Sequence, residues 1–376
     1  MSNVDQRSEL ERAGGRDAVS EREQKILGII ETTRAKKAKF RDAQVTMAHG
    51  AGGKATQGLI EGLLLPAFSS EQLEALGDAG IVSLLGGELA LTTDSFVVKP
   101  LTFPGGSIGE LAVNGTVNDL AMAGAQPVAL TLSLILEEGL PADTLKAEVA
   151  AIAQAARTAQ VRIVAGDTKV VERGHADGMY ICTTGLGLVD DRAALSPAGL
   201  RPGDRILLSG RIGDHGTAIM LARGEFELGA TIESDTRSLW PAAEALLDAA
   251  GPQLRCMRDA TRGGVASVLN ELARASGVAI IVRERDVPVH PAVAGASELL
   301  GIDPMYVANE GKFLAFVAPE AADAALDALR AAPGGEGAVE IGEVKTEPPG
   351  MVLVETAFGG RRVMDQLVGD PLPRIC

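Results

Sequence analysis

The chain has 376 residues, 46% of them hydrophobic and 23% charged, with 45 glycines and a formal net charge of −15. That length predicts two domains with accessory segments, and the composition excludes disorder for most of the chain. The acidic balance argues against nucleic acid, which needs clustered Lys and Arg, and with no apolar run of about 20 residues behind a charged N-terminus the chain reads as cytoplasmic, with no membrane contact.

Residues 1–43 read as a charged extension, since eighteen of the first 44 residues are charged, nearly twice the density of the whole chain. Ser20 and Glu23 form a capping box ahead of KILGII and predict a short helix over about 20–39. Met47 falls in a first strand-like stretch. A mixed α/β block follows over 44–198, with helices predicted over 54–65, 108–124 and 142–158 and strands over 90–98, 127–136, 161–166 and 179–189. The turn RPGD opens a second α/β block over 199–366. Its strands begin with RILLSG and recur at 278–283, 312–318 and 351–356; its helices read at 215–222, 236–249, 262–275 and 320–331. Residues 367–376 form a mobile tail ending GDPLPRIC, where two prolines favour an extended arm. At about 3.1 Å per residue its last seven residues reach roughly 20 Å.

Several segments carry candidate chemistry. In HGAGGKATQ, Gly50, Gly52 and Gly53 lead into a helix, where backbone N–H groups and the helix N-terminus favour phosphate. The segment matches neither common nucleotide fingerprint and reads equally as a plain turn. Asp94 closes the apolar stretch LALTTD and Asp167 follows VRIVAG, and ligands collect at such strand ends in open α/β sheets. Asp119 lies with Asn114 and Asn118 inside a small-residue helix, a poor place for Asn and Asp unless they serve something beyond folding. Together Asp94, Asp119 and Asp167 suit Mg²⁺, a hard ion that commonly bridges ATP phosphates.

In RDATRGGV, Asp259, Thr261, Gly263 and Gly264 offer a second anion site at a helix start, or an ordinary N-cap. His215 in GDHG reads either as functional or as a cap. Lys169 and Glu310 are acid–base candidates if buried, surface ion-pair residues if not. The three cysteines form neither a disulfide framework nor a zinc set. Cys182 reads as a buried strand residue and Cys256 as structural. Cys376 is either incidental or a thiol on a stiff arm able to visit distant sites.

Taken in order, the glycine loop, TTDS, NGTVNDLAMAGAQP, GDTKV and DATRGG resemble the superfamily of aminoimidazole ribonucleotide synthetase, selenophosphate synthetase and thiamine-monophosphate kinase. FPGGSIG, GDTKVVERG, ANEGK and the terminal PRIC narrow this to a resemblance to the HypE family of hydrogenase maturation proteins, over Met47 to Cys376. The resemblance implies a two-domain PurM-like fold, with an N-terminal domain that pairs its sheets in a homodimer and a C-terminal domain closing over ATP and Mg²⁺. It implies that a carbamoyltransferase partner, HypF, loads Cys376, that ATP phosphorylates the carbamoyl oxygen, and that dehydration leaves a thiocyanate. The cyanide then passes through HypC–HypD to the iron of a [NiFe] hydrogenase. Asp94, Asp119 and Asp167 would carry the metal, with Gly50, Gly52, Gly53, Asn118, Asp259, Thr261, Gly263 and Gly264 also holding nucleotide. Cys376, Glu310 and Lys169 would do the chemistry, Glu310 as base. A selenophosphate-synthetase-like enzyme is the near rival, but no cysteine stands in the glycine loop; a non-catalytic carrier of Cys376 is the other.

Overall fold

The structure, a computed structural model, describes residues 40, 42–68, 71–84, 87–224, 231–367 and 374–376. The helix expected at 20–39 lies outside the described residues. Met47–Gly50 is a 3₁₀ turn rather than the start of a strand, because His49 Nδ1 folds back to accept the Thr46 N–H at 3.0 Å. Helix α1 (Lys54–Leu59) continues through a π-turn, Ile60–Leu64, into Leu65–Phe68, and α2 (Glu71–Glu74) follows.

Strands β1 (Gly80–Leu84) and β2 (Gly87–Phe96), a small hairpin of β3 (Thr102–Phe103) and β4 (Gly106–Ser107), and helix α3 (Ile108–Met122) come next. Then β5 (Ala125–Glu137), α4 (Ala142–Thr158), β6 (Arg162–Val171) and β7 (Met179–Val189) complete a five-stranded sheet in the order β1-β2-β7-β5-β6. Only β5 and β6, joined through the crossover helix α4, run parallel. Strands β5 and β6 outrun their predicted ends. β5 is thirteen residues long and offers β6 backbone partners as far as Glu137↔Val171, so GDTKV becomes strand. Strand β2 pairs with β7 through Phe96↔Ile181 and holds Asp94 inside it, as the strand predicted over 90–98 does.

The second half forms a seven-stranded sheet. It contains β8 (Arg205–Leu208), β9 (Leu254–Asp259), β10 (Ala279–Arg283), β11 (Phe313–Val317), β12 (Val339–Lys345), β13 (Met351–Glu355) and β14 (Arg361–Met364), ordered β14-β13-β10-β12-β8-β11-β9. Its helices are α5 (Asp214–Ala222), α6 (Trp240–Ala250), α7 (Gly264–Ser276), α8 (Pro291–Leu300) and α9 (Ala322–Ala331). One sheet face packs on α7 through Leu269, Leu272 and Phe316, the other on α6 and α9 through Leu246, Phe313 and Leu329. Sequence patterning missed α2, β1, β3, β4, β9, β12, β14 and α8. Both β9 and β14 are edge strands whose arginines interrupt the apolar alternation that marks a strand.

Helix α3 joins the halves. It packs on β2, β5 and β7 and also meets β9 and α6, so every one of its residues except Glu110 and Asp119 is buried. Gly115 permits this approach, since a Cβ there would stand 2.9 Å from the Phe96 ring. With α3 and α4 on one face, the first sheet leaves its other face open, and Val82, Leu84, Leu91, Ile135 and Leu188 are exposed on it. No helix among the described residues is long and apolar enough to cross a membrane.

Candidate active site

Four aspartates from separate elements converge where the halves meet. Asp119 comes from the last turn of α3, Asp259 ends β9, and Asp78 precedes β1; each offers an oxygen within 4.8 Å of the others. Asp94 on β2 bonds to Asp119, whose Oδ2 also accepts from Thr92 Oγ1 at 2.6 Å. Arg258 tethers Asp78 through Nε at 2.7 Å. Burial, reinforced by the neighbouring carboxylates, pushes Asp119 and Asp259 well above the usual carboxylate range, and burial lifts Asp78 to about 6. Carboxyl groups this crowded repel one another when ionised, and a shared cation would offset that repulsion.

Beside the cluster, two glycine-capped helix starts face each other. Gly53 caps α1 and Gly263 caps α7, neither helix start taking a side-chain cap bond. The loops touch: Ser267 Oγ donates to Gly52 O at 3.2 Å, and a Cβ on Gly52 (φ 73°) would stand 2.8 Å from the Arg262 carbonyl. Gly264 is as constrained, since a Cβ would meet the Met305 and Val307 carbonyls at 2.6 and 2.7 Å. Thr261 closes the second loop by its carbonyl, which accepts the Gly264 N–H at 2.9 Å. Gly50 stays open, with nothing within 4 Å of where its Cβ would be.

The C-terminal residues lie in the adjoining cleft. Cys376, Arg262, Gly263, Gly50, Ala51 and Ser95 are among the residues around a cavity of about 150 Å³. The Cys376 carbonyl accepts the Val97 N–H at 2.9 Å, and the Ile375 side chain, 3% exposed, joins the core of the first half. Burying such a side chain contributes about 1.5–3 kcal/mol. Ordering three residues costs about 1–2 kcal/mol each in backbone entropy. Burial of Ile375 alone does not offset that cost, so the tail's polar contacts decide the balance. Burial pushes the Cys376 thiol to about 12, with Arg262 acting against it and Glu310, Asp94 and Asp259 with it. Inside the cleft the thiol is protonated and a poor nucleophile.

Glu310 is 3% exposed, and its Oε1 has no hydrogen-bond partner. Burial and then the charges of Asp259, Asp235 and Asp94 hold its carboxyl well above the usual range, while Arg262 opposes them. Its backbone is pinned on both sides. Asp235 Oδ1 accepts the Glu310 N–H at 3.0 Å, and Asn118 Nδ2 donates to the Glu310 carbonyl at 3.2 Å.

The structure corrects several sequence expectations. Asn118 is a fastener rather than a ligand: it also donates to Arg237 O and accepts the Leu239 N–H, which uses both amide protons. Asp167 and Lys169 do not join Asp94 and Asp119 within one chain. They pair with each other at 2.8 Å on the exposed edge strand β6, in register with Ser133 and Ile135, whose side chains lie on the open face opposite α3. Three strand spacings of about 4.8 Å also separate β6 from β2. Asp78 and Asp259 take the place expected for Asp167 in the acidic cluster. Cys182 is a strand residue as expected but lies half-buried on that same open face, while Cys256 is buried, its thiol pushed to about 12.

Sequence reasoning missed Asp78 as a site residue, because LGDAG carries no motif; only the pairing with Arg258 draws it in. It left Arg262 in the background, although its place inside DATRGG was a usable signal. His215, undecided from the sequence, does not cap: it is fully buried, Nε2 lies 3.0 Å from the Ile375 carbonyl and Nδ1 2.8 Å from Ser234 Oγ.

Comparison with known proteins places this geometry among relatives. Residues 76–189 match the family described as AIR synthase related protein, N-terminal domain, and residues 201–354 its C-terminal domain. The chain is 49% identical over 341 residues to "Carbamoyl dehydratase HypE" of Bradyrhizobium diazoefficiens, covering 91% of this chain and 99% of the relative. To the protein of that name from Escherichia coli it is 44% identical over 337 residues, covering 88% and 99%. Among solved structures, a HypE–HypF complex matches with a TM-score of 0.78 at 45% identity, covering 82% of this chain and 99% of that one. A HypE in complex with ATP matches with a TM-score of 0.75 at 45% identity, covering 89% and 100%.

Proposed function

Because the chain belongs to the HypE family of carbamoyl dehydratases, we propose that it uses ATP to dehydrate a carbamoyl group carried on its own Cys376 to a thiocyanate, the cyanide source for the iron of a [NiFe] hydrogenase. One observation carries the reading: Cys376 lines the same cleft as Gly50, Ala51 and Arg262. A HypE relative has been solved with HypF, and by that likeness HypF is the carbamoyl donor; HypC–HypD follows as acceptor from the family resemblance. Loading takes place outside, where the thiol regains its ordinary acidity.

The carbamoyl oxygen attacks the γ-phosphorus, an O–P bond forms, and the bond to ADP breaks. One nitrogen proton passes to solvent as the O–P bond forms; the second leaves as the C–O bond breaks, phosphate carrying away the oxygen with that bond's electron pair, and the carbon–nitrogen triple bond completes the thiocyanate. Glu310, once ionised, accepts a nitrogen proton, and Arg262 balances charge near the tail. Gly50, Gly52, Gly53 and the loop from Asp259 to Gly264 offer backbone N–H groups to the phosphates. The crowded carboxylates Asp78, Asp119 and Asp259, with Asp94 beside them, fit a hard divalent cation and would hold Mg²⁺. When bound, Mg²⁺ neutralises charge on the transferring phosphoryl group. A passive carrier has no use for such a cluster.

The test is intact-mass analysis of the chain after incubation with carbamoyltransferase, carbamoyl phosphate and ATP. The chain first gains a carbamoyl group and then, only with ATP hydrolysis, loses the elements of water. A tail that gains the group and keeps it under these conditions ends the proposal.

The metal reading has its own measurement. A carboxyl whose folded pKa is raised costs no stability below its ordinary value of 3.8, and costs progressively more as pH rises through the raised value, about 6 for Asp78. Mg²⁺ removes that cost. Added Mg²⁺ should therefore raise the melting temperature by several degrees at pH 8 and by little at pH 5; equal shifts at the two pH values would count against the cluster as its site.

The homodimer also belongs to this proposal. The exposed Val82, Leu84, Leu91, Ile135 and Leu188 make the open sheet face an interface, on which Asp167 and Lys169 would serve the site of the partner subunit. Two measurements follow. Leu91→Glu with Leu188→Glu should shift light scattering from dimer to monomer. Mixing Lys169→Ala chains with Glu310→Gln chains, each inactive alone, should restore about a quarter of wild-type turnover, since half the dimers are mixed and each has one intact site. No recovery on mixing would return Lys169 to an intrachain or structural role.

A further inference from the structure

Resting on the tail reading above, we propose that Asp177 and His215 form a docking site that reads Arg374 and Ile375, and so sets the fraction of time Cys376 spends in the cleft. The site has two ends. At the outer end Asp177 Oδ2 takes the Arg374 guanidinium at 2.5 Å, while Lys99 Nζ holds Oδ1 at 2.9 Å and the Tyr180 hydroxyl donates to Oδ2 at 3.0 Å. Three donors on one carboxylate hold it ionised and oriented, the Lys99 bond acting most strongly to lower its pKa and Arg374 next. Arg374 also donates to the Val97 carbonyl at 3.3 Å, and Arg223 donates to the Arg374 carbonyl.

At the inner end the His215 ring stands edge-on to Phe103, with centroids 5.7 Å apart. A carbonyl oxygen only accepts, so Nε2 carries the proton given to Ile375 O, and Nδ1 accepts from the Ser234 hydroxyl. Burial favours the neutral ring that this arrangement needs. Between the ends, Ile375 packs toward Gly216, where a Cβ would stand 3.4 Å from Ile375 Cδ1. Guanidinium, main-chain carbonyl and branched side chain are each matched by a separate group, so the cleft recognises a C-terminal Arg-Ile-Cys peptide and not merely an apolar end. None of Asp177, His215 and Arg374 is assigned to phosphoryl or proton transfer; they are positioning residues.

The experiment alkylates full-length protein with iodoacetamide and follows Cys376 by mass spectrometry of the C-terminal peptide, with buried Cys256 as internal reference. It needs neither ATP nor carbamoyl transfer, so its outcome is separate from that of the proposed reaction. Asp177→Asn and Arg374→Gln should each raise Cys376 labelling roughly tenfold, the effect of losing one charge-assisted hydrogen bond. The double variant should label no faster than Arg374→Gln alone, because that substitution already removes the contact with Asp177. His215→Ala should raise it further if the chain folds, and the outer pair tests the idea if it does not. Unchanged labelling in both outer variants, additive effects in the double, or a parallel rise at Cys256 overturns the proposal.

Discussion

Cys376→Ala is expected to abolish ATP-dependent nitrile formation outright, whatever the enzyme concentration, because it deletes the atom on which the substrate is built. The tail should still dock. Its main-chain contacts, Val97 N–H to the Cys376 carbonyl and His215 Nε2–H to the Ile375 carbonyl, do not involve the sulfur, and Ile375 keeps its burial. Neither other cysteine can substitute. Cys256 is sealed in the core with its thiol pushed to about 12, and Cys182 sits on the open face of the first sheet. In the intact-mass assay the variant should gain nothing from the carbamoyltransferase, and tail-dependent ATP turnover should fall to background. A Cys376→Ala chain that still acquires the group and loses water would remove the sulfur, and the proposed function with it, from the reaction.

Glu310→Gln should fold and load normally yet dehydrate about 10²–10⁴-fold more slowly, the usual loss when a positioned proton acceptor is removed. Gln has the same shape, and the contacts that fix the segment, Asp235 with the Glu310 N–H and Asn118 with its carbonyl, are to the backbone. The loss should appear in the single-turnover rate and leave ATP affinity unchanged. The wild-type pH profile carries an independent signature. Burial and nearby acids hold the Glu310 carboxyl well above the usual range, so it is protonated at mildly acidic pH and becomes a base only as pH rises through its raised pKa. The single-turnover rate should climb with pH across that interval, and the climb should vanish in Glu310→Gln. Wild-type rates in the variant would pass the role of base to another group.

Much of the molecule is legible without coordinates. Strand β7 is predicted residue for residue, helix α4 to its ends, and α3 to within two residues, because long apolar periods with clear punctuation leave little choice. The strands that escape notice, such as β9 and β14, lie at sheet edges, where arginines interrupt the apolar alternation. Order and motif single out Cys376, Glu310, Asp94, Asp119 and the two glycine loops as candidates, since each stands in a local pattern that hints at chemistry.

What the sequence determined by itself is therefore the family, the two α/β blocks and the residue types available to the proposed reaction. Only the tertiary structure decided which of them meet. It grouped Asp78 and Asp259 with Asp119, turned Asn118 into a brace for Glu310, and carried Asp167 and Lys169 to the opposite face of the sheet. It also disclosed Asp177 and His215 as the tail's partners. The physical reason is that a carboxylate's neighbours, and hence its charge state, depend on strand register and helix packing. A shift of one residue in a strand reverses the face a side chain takes, and no local pattern of residues records that choice.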